Sequence, residues 1–468
     1  MQDLTKDSIL GHLIKMTGFM LVTMAFQTLY FLIDLYWVGR LGKEAVAGVG
    51  VAGNLMFVVL AITQMLGVGT TTFVSHAAGR RDHERARLVF NQAQVLSVLV
   101  GGLFFALAFA VRGSYVHALS ADAETALLAD QYLLWFIPAM TLQFGIVSMG
   151  AALRGTGNFR PGMIVQTATI VINIVLAPFL IFGWVTGRPL GVAGAALATF
   201  ISIALGTIGF LYFFLPKGAY LKFTPADWRP RIELWGRMLQ IGLPAGAEFA
   251  LMGVYVFIVY AVSRPFGSAA QAGFGIGMRI IQAGFMPVVA LGFAVAPIAG
   301  QNFGARHADR VRETFRSAVA LSLAVMLTFA LLCHVAPTAM VRAFSSDPQV
   351  EAAGVDYLRI VSWNFLASGI IFVASSMFQA MGNTVPSLLS SLVRIVLVSV
   401  PTILLSQRPG FELRWVWYLS VAAVAIQLLT SLALLRLEFR RALRFTSAPA
   451  DAPGTAASSE LVEPIEPA

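Results

Sequence analysis

The chain has 468 residues, of which 58% are hydrophobic and only 12% charged, with a mean hydropathy of +0.78. A soluble domain carries roughly 25% charged residues, so this composition excludes an ordinary soluble protein and points to a polytopic membrane protein. The net charge of +9 fits basic loops on one side of a bilayer better than nucleic-acid binding, which is not expected.

Crossing a bilayer takes about 20 apolar residues. Twelve such stretches occur in chain order, near 17–37, 51–75, 90–111, 127–151, 162–184 and 191–215, then 242–262, 276–300, 315–337, 357–380, 385–406 and 413–435. The N-terminus, "MQDLTKDSIL", carries acids and lacks the layout of a cleaved signal, so the first span serves as the insertion signal. Basic residues cluster in alternate connections, as in Arg80, Arg81, Arg85 and Arg87, then Arg306, Arg310, Arg312 and Arg316. This bias predicts both termini in the cytoplasm. The longest polar break, 216–241, reads as a cytoplasmic linker lying partly in the interface, with Trp228 and Trp235 among its basic residues. The Ala-, Pro-, Ser- and acid-rich tail, 441–468, reads as disordered.

The first span contains a polar stripe. Thr23, Gln27, Tyr30 and Asp34 fall within about 60° of one helix face at 100° per residue. A carboxylate at mid-bilayer costs about 2.5–3.5 kcal/mol on insertion scales, so an isolated one is a functional candidate by default. The fifth span repeats the pattern with Gln166, Thr169 and Asn173; holding the bundle together by interhelical hydrogen bonds is the other reading of such residues. Glu248, one turn after Pro244, is the second isolated acid, either a proton or cation site or half of an ion pair. Arg279, Arg359 and Arg394 also fall within spans, and the sequence leaves open whether they pair with acids, snorkel or neutralise a cavity.

The two halves repeat. At a constant offset of 225, "GKEAVAGVG" (42–50) aligns with "GSAAQAGFG" (267–275), "GRRDHERARLVF" (79–90) with "GARHADRVRETF" (304–315), and "GNFRP" (157–161) with "GNTVP" (382–386). The same offset aligns "SAD" (120–122) with "SSD" (345–347) and Tyr132 with Tyr357. Six spans per half keep both halves the same way up, a parallel repeat of the kind transporters use to enclose a pathway. Tyr30 aligns with Tyr255, but Asp34 aligns with Val259, so the shared scaffold does not require the acid. No phosphate-binding G-x-x-x-x-G-K-[ST] is present, the six histidines show no metal-ligand spacing, and Cys333 is the single cysteine. An enzyme is therefore not expected, nor is a bound cofactor or metal.

"LYFLIDLYWVGRLGKEAVAGVGVA", "GVGTTTFVSHAAGRRDHERAR", "ALRGTGNFRP", "INIVLAPFLIFG", "GLPAGAEFALMG" and "FQAMGNTVPS" together resemble the multidrug and toxic compound extrusion (MATE) family over roughly 10–440. The resemblance implies an all-α polytopic protein with twelve transmembrane helices in two six-helix bundles. It divides the chain into an N-terminal lobe (1–215), a linker (216–241), a C-terminal lobe (242–440) and a tail (441–468). It further implies a monomeric inner-membrane antiporter that exports organic cations or amphipathic compounds against a proton gradient, sodium being less favoured. Asp34 stands at the family's first-helix acid, Gln27 at a pocket glutamine of its proton-coupled prokaryotic branch, and Asn173 at the fifth-helix asparagine. The sequence departs from the family at Ala177, where a second acid is usual, and at Phe19, where a proline is usual; the tenth helix also lacks an acid. The competing readings are a flippase for lipid-linked saccharides and a channel or membrane scaffold.

Overall fold

A computed structural model describes residues 2–120, 122–184, 187–215 and 219–445. Among them there is no strand, and twelve segments are long and apolar enough to cross a membrane. The first half runs through α1 (Ile9–Gly39), α2 (Lys43–Gly53), α3 (Leu55–Gly79), α4 (His83–Leu119), α5 (Ala123–Gly155), α6 (Arg160–Phe182) and α7 (Gly191–Phe214). The second half runs through α8 (Ile232–Ser263), α9 (Ser268–Gly304), α10 (Ala308–Val335), α11 (Pro337–Arg342), α12 (Pro348–Val361), α13 (Asn364–Met381), α14 (Val385–Ser406) and α15 (Leu413–Ala442).

Local chemistry sets the helix ends. The side chains of Ser8, Asp82, Asp122 and Asp347 accept hydrogen bonds from first-turn amides of α1, α4, α5 and α12, satisfying donors that a helix start leaves free. The Ser8 cap starts α1 at Ile9, before the apolar run begins. The stretch near 357–380 is not one helix. The helix is interrupted at Ser362 and Trp363, where the Ser362 hydroxyl donates to the Arg359 carbonyl at 3.1 Å, and the amphipathic α12 precedes the spanning α13.

Part of the expected linker is held firmly. Asn91 and Gln92, both fully buried on α4, grip its backbone. Asn91 donates to the Lys222 carbonyl (3.0 Å) and accepts from the Thr224 amide and the Trp228 indole. Gln92 donates to the Asp227 and Arg229 carbonyls and accepts from the Arg231 amide. These bonds answer the backbone of residues 219–231, which form no helix beyond one short turn at Pro225–Trp228, whereas the rest of the expected linker, 232–241, belongs to α8. Helix α8 then begins at Ile232, and α15 runs to Ala442. The tail from residue 446 onward lies outside the described residues.

The buried side chains cross between halves. Leu4, Ile9, Leu13 and Met16, at the start of the chain, pack in an apolar cluster with α9, α10 and α13, whereas Val38 at the end of α1 packs in the first half's cluster. Helix α8 does the reverse. Leu234 and Met238 join the first half's cluster, and Val259 joins one formed by the second half. Each half's leading helix thus starts in the other half's core and ends in its own.

Candidate functional site

At one end of the bundle the halves are stitched together, and the stitches come in pairs that obey the repeat. The His76 Nε2–H donates to the Ala380 carbonyl at 2.6 Å, and its counterpart 225 residues on, Gln301, donates to the Gly155 carbonyl at 2.9 Å. Gly155 and Ala380 are themselves counterparts. Gly79 lies against the Gln301 carbonyl and Gly304 against the His76 carbonyl, so close that neither position has room for a Cβ. The helix ends α3 and α9 therefore meet backbone to backbone about a local twofold. Further bonds complete the band: Thr72 to the Gln379 carbonyl (2.8 Å), Thr384 to the Ile241 carbonyl (2.5 Å), and Gln2 and Leu4 amides to the Thr156 carbonyl and Gln301 Oε1, each at 3.0 Å. Beside it, Asp3's carboxyl is held below its ordinary range, chiefly by the Thr5 hydroxyl at 2.5 Å and then by the Thr5 amide and Arg81. Away from this end, Thr28 to the Met286 sulfur (3.6 Å) is the one hydrogen bond joining α1 to the second half among the described residues.

The α1 stripe resolves into different environments. Thr23 is buried and donates to its own helix at the Phe19 carbonyl. Gln27 is exposed and makes no hydrogen bond among the described residues. Tyr30 OH lies 3.3 Å from Thr199 Oγ1 on α7, and buried Asn173 on α6 donates to the same oxygen at 3.1 Å. Thr199 also sits 3.2 Å from the Ala195 carbonyl, which only accepts. The hydroxyl proton therefore goes to Ala195, and both lone pairs receive donors, one from Tyr30 and one from Asn173. Thr199 was not singled out in the sequence; it is one polar residue in the small-residue run "GVAGAALATF", and only the close packing of α6 on α7 reveals it.

Asp34 lies one turn beyond Tyr30, near enough to the Tyr30 and Tyr132 phenols to act on them electrostatically. Its Oδ1 is buried and has no hydrogen-bond partner. It has no ion pair among the described residues. Ala177, where a second acid is usual in the family, is 1% exposed inside the apolar packing of the first half. Phe19 lies within α1 and Pro244 within α8, and both helices run unbroken through these positions.

Glu248 belongs to a separate cluster. Three hydroxyls lie within hydrogen-bond distance of its carboxylate, Ser391 at 2.9 Å, Ser387 at 3.0 and 3.1 Å and Ser375 at 3.3 Å, and Ser375 and Ser387 are themselves 2.8 Å apart. Gln427 donates to Ser391 at 3.3 Å, and its own Oε1 is buried without a partner. The four residues come from α13, α14 and α15, and none was identified from sequence; serines at i and i+4 on α14 (Ser387, Ser391) were the available signal. Arg394 lies over the Tyr255 ring at 5.7 Å and forms no salt bridge among the described residues, while Arg279 and Arg359 are exposed. Tyr30, Asn173 and Asp34 are thus brought together, Gln27 shares their side of α1 but is exposed, and Glu248 belongs to a separate cluster on α8.

A profile of the MatE family matches residues 20–179 and 244–405, corresponding stretches of the two halves. The chain is 27% identical over 371 residues to the multidrug export protein MepA of Staphylococcus haemolyticus, covering 78% of this chain and 80% of that one. It is 28% identical over 423 residues to the probable multidrug resistance protein YoeA of Bacillus subtilis (88% and 90%) and 26% identical over 384 residues to an FAD transporter of Shewanella oneidensis (79% and 82%). Among solved structures, an outward-facing multidrug resistance MATE transporter superposes with a TM-score of 0.87 at 24% identity, covering 95% of this chain and 98% of that one. Two halves built alike, joined at one end and matched in both by one family's profile, lead to a single assignment: the chain belongs to the MatE family of multidrug and toxic compound efflux transporters.

Proposed function

We propose that the protein is a secondary active antiporter that exports cationic or amphipathic small molecules in exchange for protons by alternating access. The observation that carries this reading is Asp34 Oδ1, buried on α1 with no hydrogen-bond partner. A structural carboxylate is expected to be hydrogen-bonded or paired; one left open is available to a proton or a substrate cation. Ionised Asp34 attracts a cation entering between the halves. Protonation removes that attraction and releases the cargo on the side from which the proton came. Movement of one charge through 100 mV supplies about 2.3 kcal/mol.

In this reading Tyr30 and Asn173 position the site through Thr199, Gln27 contributes to substrate contact, and Glu248 acts as a second proton or cation site in the other half. The descriptions of MepA as a multidrug export protein and of YoeA as a probable multidrug resistance protein support small-molecule efflux. The stitched end supports alternation, because a pathway closed at one end by paired hydrogen bonds has a defined element to open. Residues 1–215 and 242–440 act as the two lobes, in a monomer of the inner membrane with both termini in the cytoplasm and with no cofactor. Proteoliposomes with an imposed pH gradient test the proposal by following efflux of a fluorescent organic cation. Asp34→Asn is expected to lose at least about tenfold of the proton-driven rate; an undiminished rate would sink the assignment.

A further inference from the structure

Beside the stitched end, a groove of about 310 Å³ opens between α1 and α6, lined by Gln2, Lys15, Phe19, Asn158, Phe159 and Arg160. Two of these side chains are cationic and none is acidic. Lys15 and Arg160 are both exposed, and neither forms a salt bridge among the described residues. The nearby acid Asp3 is engaged elsewhere, by Thr5 and by Arg81 at 3.4 Å. The Arg160 guanidinium lies 5.9 Å over the Phe19 ring, which fixes it at the groove wall.

What lies along the helices from this point is apolar and exposed. On α1, Val22 (44% exposed) and Leu29 (45%) follow Lys15 at intervals of seven, on one face. On α6, Ile164 (53%), Val171 (44%) and Val175 (55%) share the face of Arg160. Lys15 to Leu29 spans about 21 Å at 1.5 Å per residue, longer than the roughly 15 Å of hydrocarbon in one leaflet. Two neighbouring apolar stripes, each headed by a cation, meet at a groove large enough for a headgroup. Exposed apolar residues on spanning helices face acyl chains, so the stripes set the groove beside lipid, and two cations with no acid among the lining residues select an anionic headgroup there.

We propose that this groove binds an anionic phospholipid, with its phosphate between Lys15 and Arg160 and its acyl chains along Val22 and Leu29 on α1 and Ile164, Val171 and Val175 on α6. The site is independent of the transport reading and of which leaflet faces the cytoplasm. Because Gln2 lines the groove and its amide bonds the Thr156 carbonyl, an occupied site holds the chain start in its stitched position.

Native mass spectrometry of the full protein in detergent, titrated with phosphatidylglycerol or with phosphatidylcholine, tests this. The wild type is expected to bind phosphatidylglycerol about thirtyfold more tightly than phosphatidylcholine, in line with roughly tenfold per 1.4 kcal/mol and two cations at a lipid surface. Lys15→Gln combined with Arg160→Gln is expected to abolish that preference. A control pair on α15, Arg436→Gln with Arg440→Gln, is expected to keep it. Unchanged binding in the groove variant, or equal loss in the control, overturns the proposal. Displacement by millimolar inorganic phosphate also overturns it, in favour of a free-anion site. Should the double variant not fold, Lys15→Gln alone carries the test, with about a fivefold loss expected and full retention counting against the site.

Discussion

Helices α1 and α8 are the same element built twice, and they differ where function would be placed. Both begin in the other half's apolar core and finish in their own. Helix α8 has a proline at 244 and an acid, Glu248, one turn later, with that acid held by three serine hydroxyls. Helix α1 has no proline and carries its acid farther along, at Asp34, with an open oxygen. At the position equivalent to Asp34, α8 carries Val259, 1% exposed in an apolar cluster. The fold accepts valine there and buries it. Asp34 is therefore an addition to the scaffold and not a part of it.

Exchanging the two residues breaks or sharpens that comparison. Val259→Asp is expected to have the largest effect, because it puts an unpaired charge into packed apolar surroundings; a loss of about 3 kcal/mol or more is expected, read as loss of monodisperse protein in size-exclusion chromatography. Asp34→Val is expected to give a folded protein of wild-type thermal stability that no longer couples to a pH gradient. If Asp34→Val unfolds the protein, the acid is structural and the contrast fails.

The paired stitches predict a symmetric result next. Gly79→Val and Gly304→Val each force a side chain against a backbone carbonyl of the opposite half. Both are expected to weaken closure at that end to a similar degree, seen as increased labelling of a cysteine placed in the seam in a variant that also carries Cys333→Ser. A large effect at one glycine and none at the other would show that the two copies of the seam are not equivalent.

Smaller still is Ser387→Ala, which removes one of the hydroxyls at Glu248 and leaves Ser375 and Ser391; a loss of about 1–3 kcal/mol is expected, with a lower melting temperature and retained folding. The smallest effect belongs to Asp3. Its carboxyl is held below the ordinary value, so its contribution is complete above about pH 4 and is lost as pH falls below that. Asp3→Asn is therefore expected to match the wild type in acid and to be slightly less stable near neutrality, by thermal melts at both pH values.

The repeat was legible in the sequence because alignment at one offset needs no structure, and it is repeated in the seam. His76 pairs with Ala380 as Gln301 pairs with Gly155, and Arg81 and Arg306 take matching left-handed φ values of 59° and 60°. The acids were legible because a charge stands out in apolar sequence. Their surroundings were not. Thr199, Ser375, Ser387, Ser391 and Gln427 are ordinary polar residues on separate helices, and what makes them a site is the helix packing, which hydropathy does not encode. The break at Ser362 and Trp363 is hidden for a related reason: the apolar run continues through two residues whose backbone angles stay in the right-handed helical region. The crossing of α1 and α8 between the halves was hidden as well, since an apolar residue in the sequence gives no indication of which core it enters.

That crossing governs the order in which the protein can be completed during synthesis. Chains emerge from the ribosome N-terminus first, yet Leu4, Ile9, Leu13 and Met16 share their cluster with Phe159 of the first half and otherwise with residues from Leu291 onward. The earliest segment made is thus among the last to be covered. A nascent first half must leave its opening residues largely uncovered until the second half is inserted, and Leu4, hydrogen-bonded to Gln301 and Asn302, can take its final place only when both bundles are present.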